Sequence, residues 1–236
     1  MKLLLRHGRV FDGSQFQTAD IAVDGDRILE VGPTLPPNED AQMWDLAGDL
    51  VIPGLVNAHY HSPDNLVTGR LPSAPLELWS LSSVPSRTSR PDELRIAALL
   101  GAAEMLLGGV TGVVDMVRPS PKLTLPALEA VADAYVESGM RAAIVPVVRD
   151  LAVEDTLPLD DDSTPPRPEV NGAEQLDIIR TFSSAWHGRL GRLSVQVGPS
   201  GPQRCSDSLF QQALDLGAEL RTLLHTHVLE TRAQAV

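Results

Sequence analysis

The sequence predicts an α/β protein in which strands of a parallel sheet alternate with helices, preceded by a small unit of short antiparallel strands. Three observations predict it. From residue 51 onward, continuous apolar runs alternate with longer stretches of helical character, the signature of a parallel sheet. Before that point the apolar segments are short and divided by turn residues. Histidine pairs spaced i, i+2 then fall in the first and the last of the later apolar runs, as His59/His61 and His225/His227.

In chain order, Leu3–Leu5, Ile21–Val23, Ile28–Val31 and Leu50–Ile52 read as short strands separated by Asp12-Gly13, Asp24-Gly25-Asp26 and Gly32-Pro33. Residues 1–52 therefore form one small β unit, and residues 53–236 the main domain. A strand over about 51–58 leads into the first histidine pair. A helix starts near Ser89, with Pro91, Asp92 and Glu93 in its first turn, and ends at Gly108-Gly109. The strand Gly112–Val117 follows, then a helix over 125–138 closed by Gly139, then the strand Ala142–Val148, in which Pro146 is awkward. A helix over 172–186 precedes the strand Leu193–Val197. A last helix over 206–216, capped by Ser206, ends at Gly217. A final strand over 220–228 carries the second histidine pair. Residues 62–88, with Leu76-Glu-Leu-Trp79, and 151–171, with Asp160-Asp161-Asp162, are long loops after strands.

Composition bounds the function. Of the 236 residues 43% are apolar, enough for a sizeable core, and the net charge is −12. Nucleic acid and anionic membranes, which need a basic surface, are excluded as partners. A small molecule is the expected partner, with a homo-oligomer open. The single cysteine, Cys205, forms no internal disulfide and suits a reducing cytoplasm. Three leucines near the N-terminus are too few for a signal peptide or membrane span.

Side chains two apart on a strand point the same way. His59 and His61 can therefore reach one ion at Zn–N distances of roughly 2.0–2.1 Å. Three such histidines leave a position open for water, whose pKa a bound metal lowers towards ~7.

Asp45-Leu-Ala-Gly-Asp-Leu-Val-Ile-Pro-Gly-Leu-Val-Asn-Ala-His-Tyr-His, Gly109-Val-Thr-Gly-Val-Val-Asp, Gly198-Pro-Ser-Gly-Pro-Gln-Arg-Cys-Ser-Asp and His225-Thr-His-Val-Leu-Glu-Thr occur in that order. In these blocks the chain resembles the amidohydrolase superfamily, in its branch of cytosine-, guanine- and adenosine-type deaminases and triazine hydrolases. The resemblance implies a (β/α)8 TIM-like barrel with a small β-sandwich built from both chain ends. It implies that His59, His61 and His227 bind one divalent metal, zinc or iron, and that Glu230 contacts substrate and moves protons. The reaction implied is hydrolysis of a non-peptide carbon–nitrogen bond: deamination or dehalogenation of a nitrogen heterocycle through a metal-activated water. A bridging modified lysine, the mark of two-metal members, has no counterpart in Val195-Gln-Val-Gly-Pro, and the chain holds only Lys2 and Lys122. A mononuclear site is favoured.

Residues 54–236 fall short of the ~250 of a full barrel. The expectation is a partial barrel, strands one to five, lacking the family's histidine after strand six and aspartate base after strand eight. A five-stranded piece with unpaired edges is expected to be marginally stable or self-associated. Two alternatives stand beside the deaminase: a cyclic amide or imide hydrolase of the same fold, and a non-catalytic fragment. Each residue also has a plainer reading. Glu230 could be a first-turn helix residue favoured by the dipole. Trp79 lines the pocket or packs on the rim. His225 is expected to be packed or hydrogen-bonded, Asp115 to play a hydrogen-bonding role, Cys205 to be inert, Asp160–Asp162 to be solvated, and His7 and His187 to lie at the surface. Adenosine-type members carry an acidic residue after the lid tryptophan and a histidine after Gly-Pro. Here those places hold Ser80-Leu-Ser-Ser and Ser200, which favours a free base, pterin or triazine-like ring over a nucleoside.

Overall fold

The computed structural model describes residues 2–70, 73–76, 90–151 and 171–235. Trp79 and Asp160–Asp162 lie outside the described residues. The chain divides into two compact units, Met1–Gly54 and Leu55–Val236.

The first unit is one five-stranded sheet. Strands β1 (Lys2–Phe11), β2 (Phe16–Asp24) and β3 (Arg27–Gly32) form an antiparallel meander, as the turn residues dictate. The sheet is mixed rather than wholly antiparallel. β4 (Gln42–Asp45) and β5 (Leu50–Val51) run parallel to β1 on its free side. β4 gave no signal in the sequence because its Met43 and Trp44 are exposed and lack the alternation of a half-buried strand. The small core holds Val10, Ala19 and Ile21. Buried Asp20 organises the β1 bulge: its carboxylate accepts from the His7 and Leu35 backbone N–H groups at 2.9 and 3.0 Å. These bonds, led by that of Leu35, hold its pKa below the usual carboxylate value.

The second unit is the predicted parallel sheet. Its strands are β6 (Leu55–Tyr60), β7 (Val110–Val117), β8 (Arg141–Val148), β9 (Leu193–Val195) and β10 (Gly198–Pro199). The strands are neighbours in chain order, with β9 and β10 both on β8. Helices α1 (Pro91–Leu107), α2 (Leu125–Ser138) and α3 (Gly172–Trp186) connect them, and α4 (Asp207–Leu220) follows β10. Each helix buries residues three or four apart against the strands, such as Leu128, Val131 and Tyr135 of α2 and Ile179, Phe182 and Trp186 of α3. Met116, Val145 and Val147 pack on the opposite face. Strands buried on both faces explain the continuous apolar runs.

Caps fall where side-chain oxygens can serve. Asn171 accepts from the Glu174 N–H at 3.2 Å and Ser206 from that of Leu209 at 3.1 Å. Gly139, at φ 77°, closes α2.

In the second unit, four differences from the sequence reading have a physical cause. β6 begins at Leu55, because Pro53 has no N–H to give a ladder. The Leu193–Val197 strand breaks after Val195. Ala142 donates to Arg192 and Ile144 accepts from Gln196, so the alternate residue Pro146 faces that same side, and its missing N–H coincides with the break between β9 and β10. α4 continues through Gly217 to Leu220, and Arg221 takes the left-handed conformation. Gly217 serves packing instead: a Cβ there would lie 2.4 Å from Leu224 Cδ1. Finally, residues 220–228 form no regular strand. One bridge, Val197 to Leu224, ties them to the sheet.

Gly198 is the tight point of the last strand pair. An added Cβ would sit 2.7 Å from the Pro146 carbonyl oxygen and 2.7 Å from Val145 Cγ1. Gly198→Ala is therefore expected to destabilise this unit by about 1–3 kcal/mol, read as a lower urea midpoint with an unchanged m-value. No helix among the described residues is long and apolar enough to cross a membrane.

Candidate metal centre

Four histidines meet at the ends of the parallel strands. His59 is the penultimate residue of β6 and His61 follows that strand. The loop after His61 is held down by buried Asp115 on the adjacent strand β7, which lies in register with Tyr60. One Asp115 oxygen accepts from the Ser62 N–H at 2.9 Å and the other from the Tyr135 hydroxyl at 2.8 Å. Burial raises the Asp115 pKa despite these bonds. This is the hydrogen-bonding role expected of Asp115. The second pair arrives on 222–228, where Val197 donates to Leu223 and accepts from His225.

His59, His61 and His227 each present one ring nitrogen within 4.8 Å of the others. The rings form two stacks set at right angles. His61 lies over His227 at 5.3 Å and 10°, and His59 over His225 at 5.3 Å and 16°. His59 meets His61 at 88° and His227 at 90°.

The nitrogens have assigned roles. His61 Nδ1 is 2.9 Å from the Met116 carbonyl oxygen and His227 Nδ1 is 2.7 Å from that of Ser200. Carbonyls only accept, so both Nδ1 atoms carry protons, and in the neutral rings both Nε2 atoms carry lone pairs. Those two Nε2 atoms face one another at 3.2 Å. Two acceptors so placed repel unless a cation lies against both. Tetrahedral zinc with Zn–N bonds of 2.0–2.1 Å sets neighbouring ligand nitrogens about 3.3 Å apart. Burial keeps His59, His225 and His227 below the usual imidazole pKa, favouring the neutral form that binds metal. The histidines thus fit a divalent ion. Among the described residues the group holds three histidines and no carboxylate.

A cleft of about 250 Å³ opens beside them, lined by His61, Met116, Arg118, Ser200, Arg204 and Glu230 among others. Glu230 is exposed, and its negative charge favours the protonated forms of His227 and His59. The chain turns just before it, where Leu229 adopts a left-handed φ of 53°. Cys205 is buried with a raised pKa, caused first by burial, in keeping with an inert thiol. His7 and His187 are exposed. The residues that sequence reasoning missed, Met116 and Ser200, act through backbone carbonyls, which no side-chain pattern reports.

Residues 50–235 match the model of the amidohydrolase family. A 5-methylthioadenosine/S-adenosylhomocysteine deaminase from Archaeoglobus fulgidus is 31% identical over 97% of this chain and 50% of its own length. A triazine hydrolase from Arthobacter aurescens superposes with a TM-score of 0.82 at 24% identity, covering 96% of this chain and 52% of that one. An adenosine deaminase from Xanthomonas campestris with bound zinc gives 0.78 at 24% identity, over 98% and 50%. The chain spans about half the length of the curated relatives it matches.

Proposed function

Because the chain belongs to the amidohydrolase family, we propose that it supplies the metal-binding half of a hydrolase of non-peptide carbon–nitrogen bonds. The proposed reaction is hydrolytic deamination: water adds to an electron-poor ring carbon, the carbon–amine bond breaks, and ammonia leaves. The parallel sheet is then the first part of an eight-stranded barrel, and the small unit part of a β-sandwich. The expected boundary at residues 52/53 lies two residues before the division of the two units at Gly54/Leu55.

The observation that carries this reading is the opposition of the His61 and His227 Nε2 lone pairs at 3.2 Å, next to a cleft that also holds Glu230. His59, His61 and His227 would hold a single zinc or iron ion, both suited to imidazole nitrogen, which would supply Lewis acidity and lower the pKa of water towards ~7. Met116 and Ser200 keep their histidines in the ligating tautomer. Glu230, which lines the cleft, would exchange a proton with a ring nitrogen as electron density moves onto it and off it, while the proton that the adding water gives up ends on the departing amine, which leaves as ammonia. The names of the sequence relatives support an adenosine derivative as substrate.

The test is ammonia release from 5′-modified adenosines and aminotriazines by the zinc-loaded hydrolase of which this chain supplies the metal-binding half. Turnover is expected to fall about 10²–10⁴-fold in Glu230→Gln, with zinc content unchanged. Full activity in that variant would remove Glu230 from the chemistry. Acid release from cyclic amides, with no ammonia from heterocycles, would replace the deaminase reading.

A further inference from the structure

The fourth histidine does not belong to the triad, yet it touches it. His225 Nε2 lies 3.0 Å from His59 Nδ1, with the rings stacked. His61 and His227 each hold their Nδ1 against a backbone carbonyl. His59 has no such carbonyl among its described bonds; in the matching place stands the ring nitrogen of His225. With Nδ1 engaged there, the nitrogen His59 has left for an ion is Nε2, as in the other two. For that nitrogen to carry a lone pair, the proton must sit on Nδ1 and be donated to His225.

From this geometry we infer that His225 is a positioning residue. It accepts the Nδ1–H of His59, fixes that tautomer, and aims His59 Nε2 at the His61–His227 pair. The inference rests on the metal reading above. His225 is well placed for the role, because two backbone bonds to Val197 anchor its segment to the sheet. Partners that orient a ligating histidine typically change metal affinity 10–100-fold when removed.

The test uses the 236-residue chain, zinc itself as probe, and two variants. His225→Leu keeps bulk without an acceptor. His225→Gln places an amide oxygen close to where Nε2 stood. Competition with a chromogenic chelator should show the zinc Kd rising about 10–100-fold in His225→Leu and staying within a few-fold of wild type in His225→Gln. Nitrogen-15 NMR of the imidazoles should place the His59 proton on Nδ1 in wild type and His225→Gln. An unchanged Kd in His225→Leu, equal damage in both variants, or a His59 proton on Nε2 would each overturn the inference. If wild type takes up no zinc, the metal reading fails instead, and the His59 tautomer in the metal-free chain still decides whether His225 accepts from it.

Discussion

His61→Ala is expected to weaken zinc binding by more than the ~100-fold that loss of an orienting partner costs. The reason is geometric. His61 and His227 are the two rings whose tautomers are fixed by carbonyls and whose Nε2 atoms already stand 3.2 Å apart. Removing either leaves two imidazoles, one of them held by a side chain rather than by the backbone. Equilibrium dialysis should find about one zinc per chain in wild type and a value near zero in the variant at micromolar zinc. The variant should keep its fold, because His61 is only half-buried and lies after β6, outside the strand ladder. Unchanged uptake in His61→Ala would mean that zinc binds elsewhere.

The second large effect is on stability. Asp115→Ala should cost about 2–5 kcal/mol, because it strands two buried donors at once, the Ser62 N–H and the Tyr135 hydroxyl. Both lie in a region closed to water: Asp115, Ser62 and Tyr135 are each 0% exposed. Asp115→Asn should be far milder, since its amide oxygen can still accept from Ser62 and its NH₂ can donate to the tyrosine oxygen. The two differ in pH dependence as well. The Asp115 pKa is raised in the folded state, chiefly by burial. The folded chain therefore binds that proton more tightly than the unfolded chain. The associated stability is complete below about pH 4 and is lost as pH rises through the folded value. Asp115→Asn removes that slope. Urea unfolding across pH reads both effects. A mild Asp115→Ala would show that water reaches these donors. Because Ser62 follows His61, zinc affinity should fall with the loop's anchor.

The sequence made the site more legible than its support. His59 and His61 announced themselves through their i, i+2 spacing at the end of an apolar run. Helices α2 and α3 matched their expected limits, with Gly139 closing α2 in the left-handed conformation and Asn171 capping the start of α3. Where a residue type serves two purposes, the reading went astray. Gly217 looks like a helix stop, yet the space its missing side chain leaves admits Leu224. The apolar run at 220–228 looks like a strand, but a ladder needs a partner, and Val197 offers one bridge. The carbonyls that orient His61 and His227 leave no trace in side-chain patterns at all. The Ser80 and Ser200 departures argued against a nucleoside, whereas the relatives matching over nearly the whole chain carry nucleoside-deaminase names. Ser200 is buried, and its carbonyl serves His227.

The most direct measurement is zinc-edge X-ray absorption of the chain loaded with one equivalent of zinc. Three imidazole nitrogens are expected at about 2.0–2.1 Å with the remaining shell filled by oxygen, and imidazole scattering is expected to fall in His227→Ala. A sulfur shell at about 2.3 Å, or an all-oxygen shell indifferent to that substitution, would contradict it.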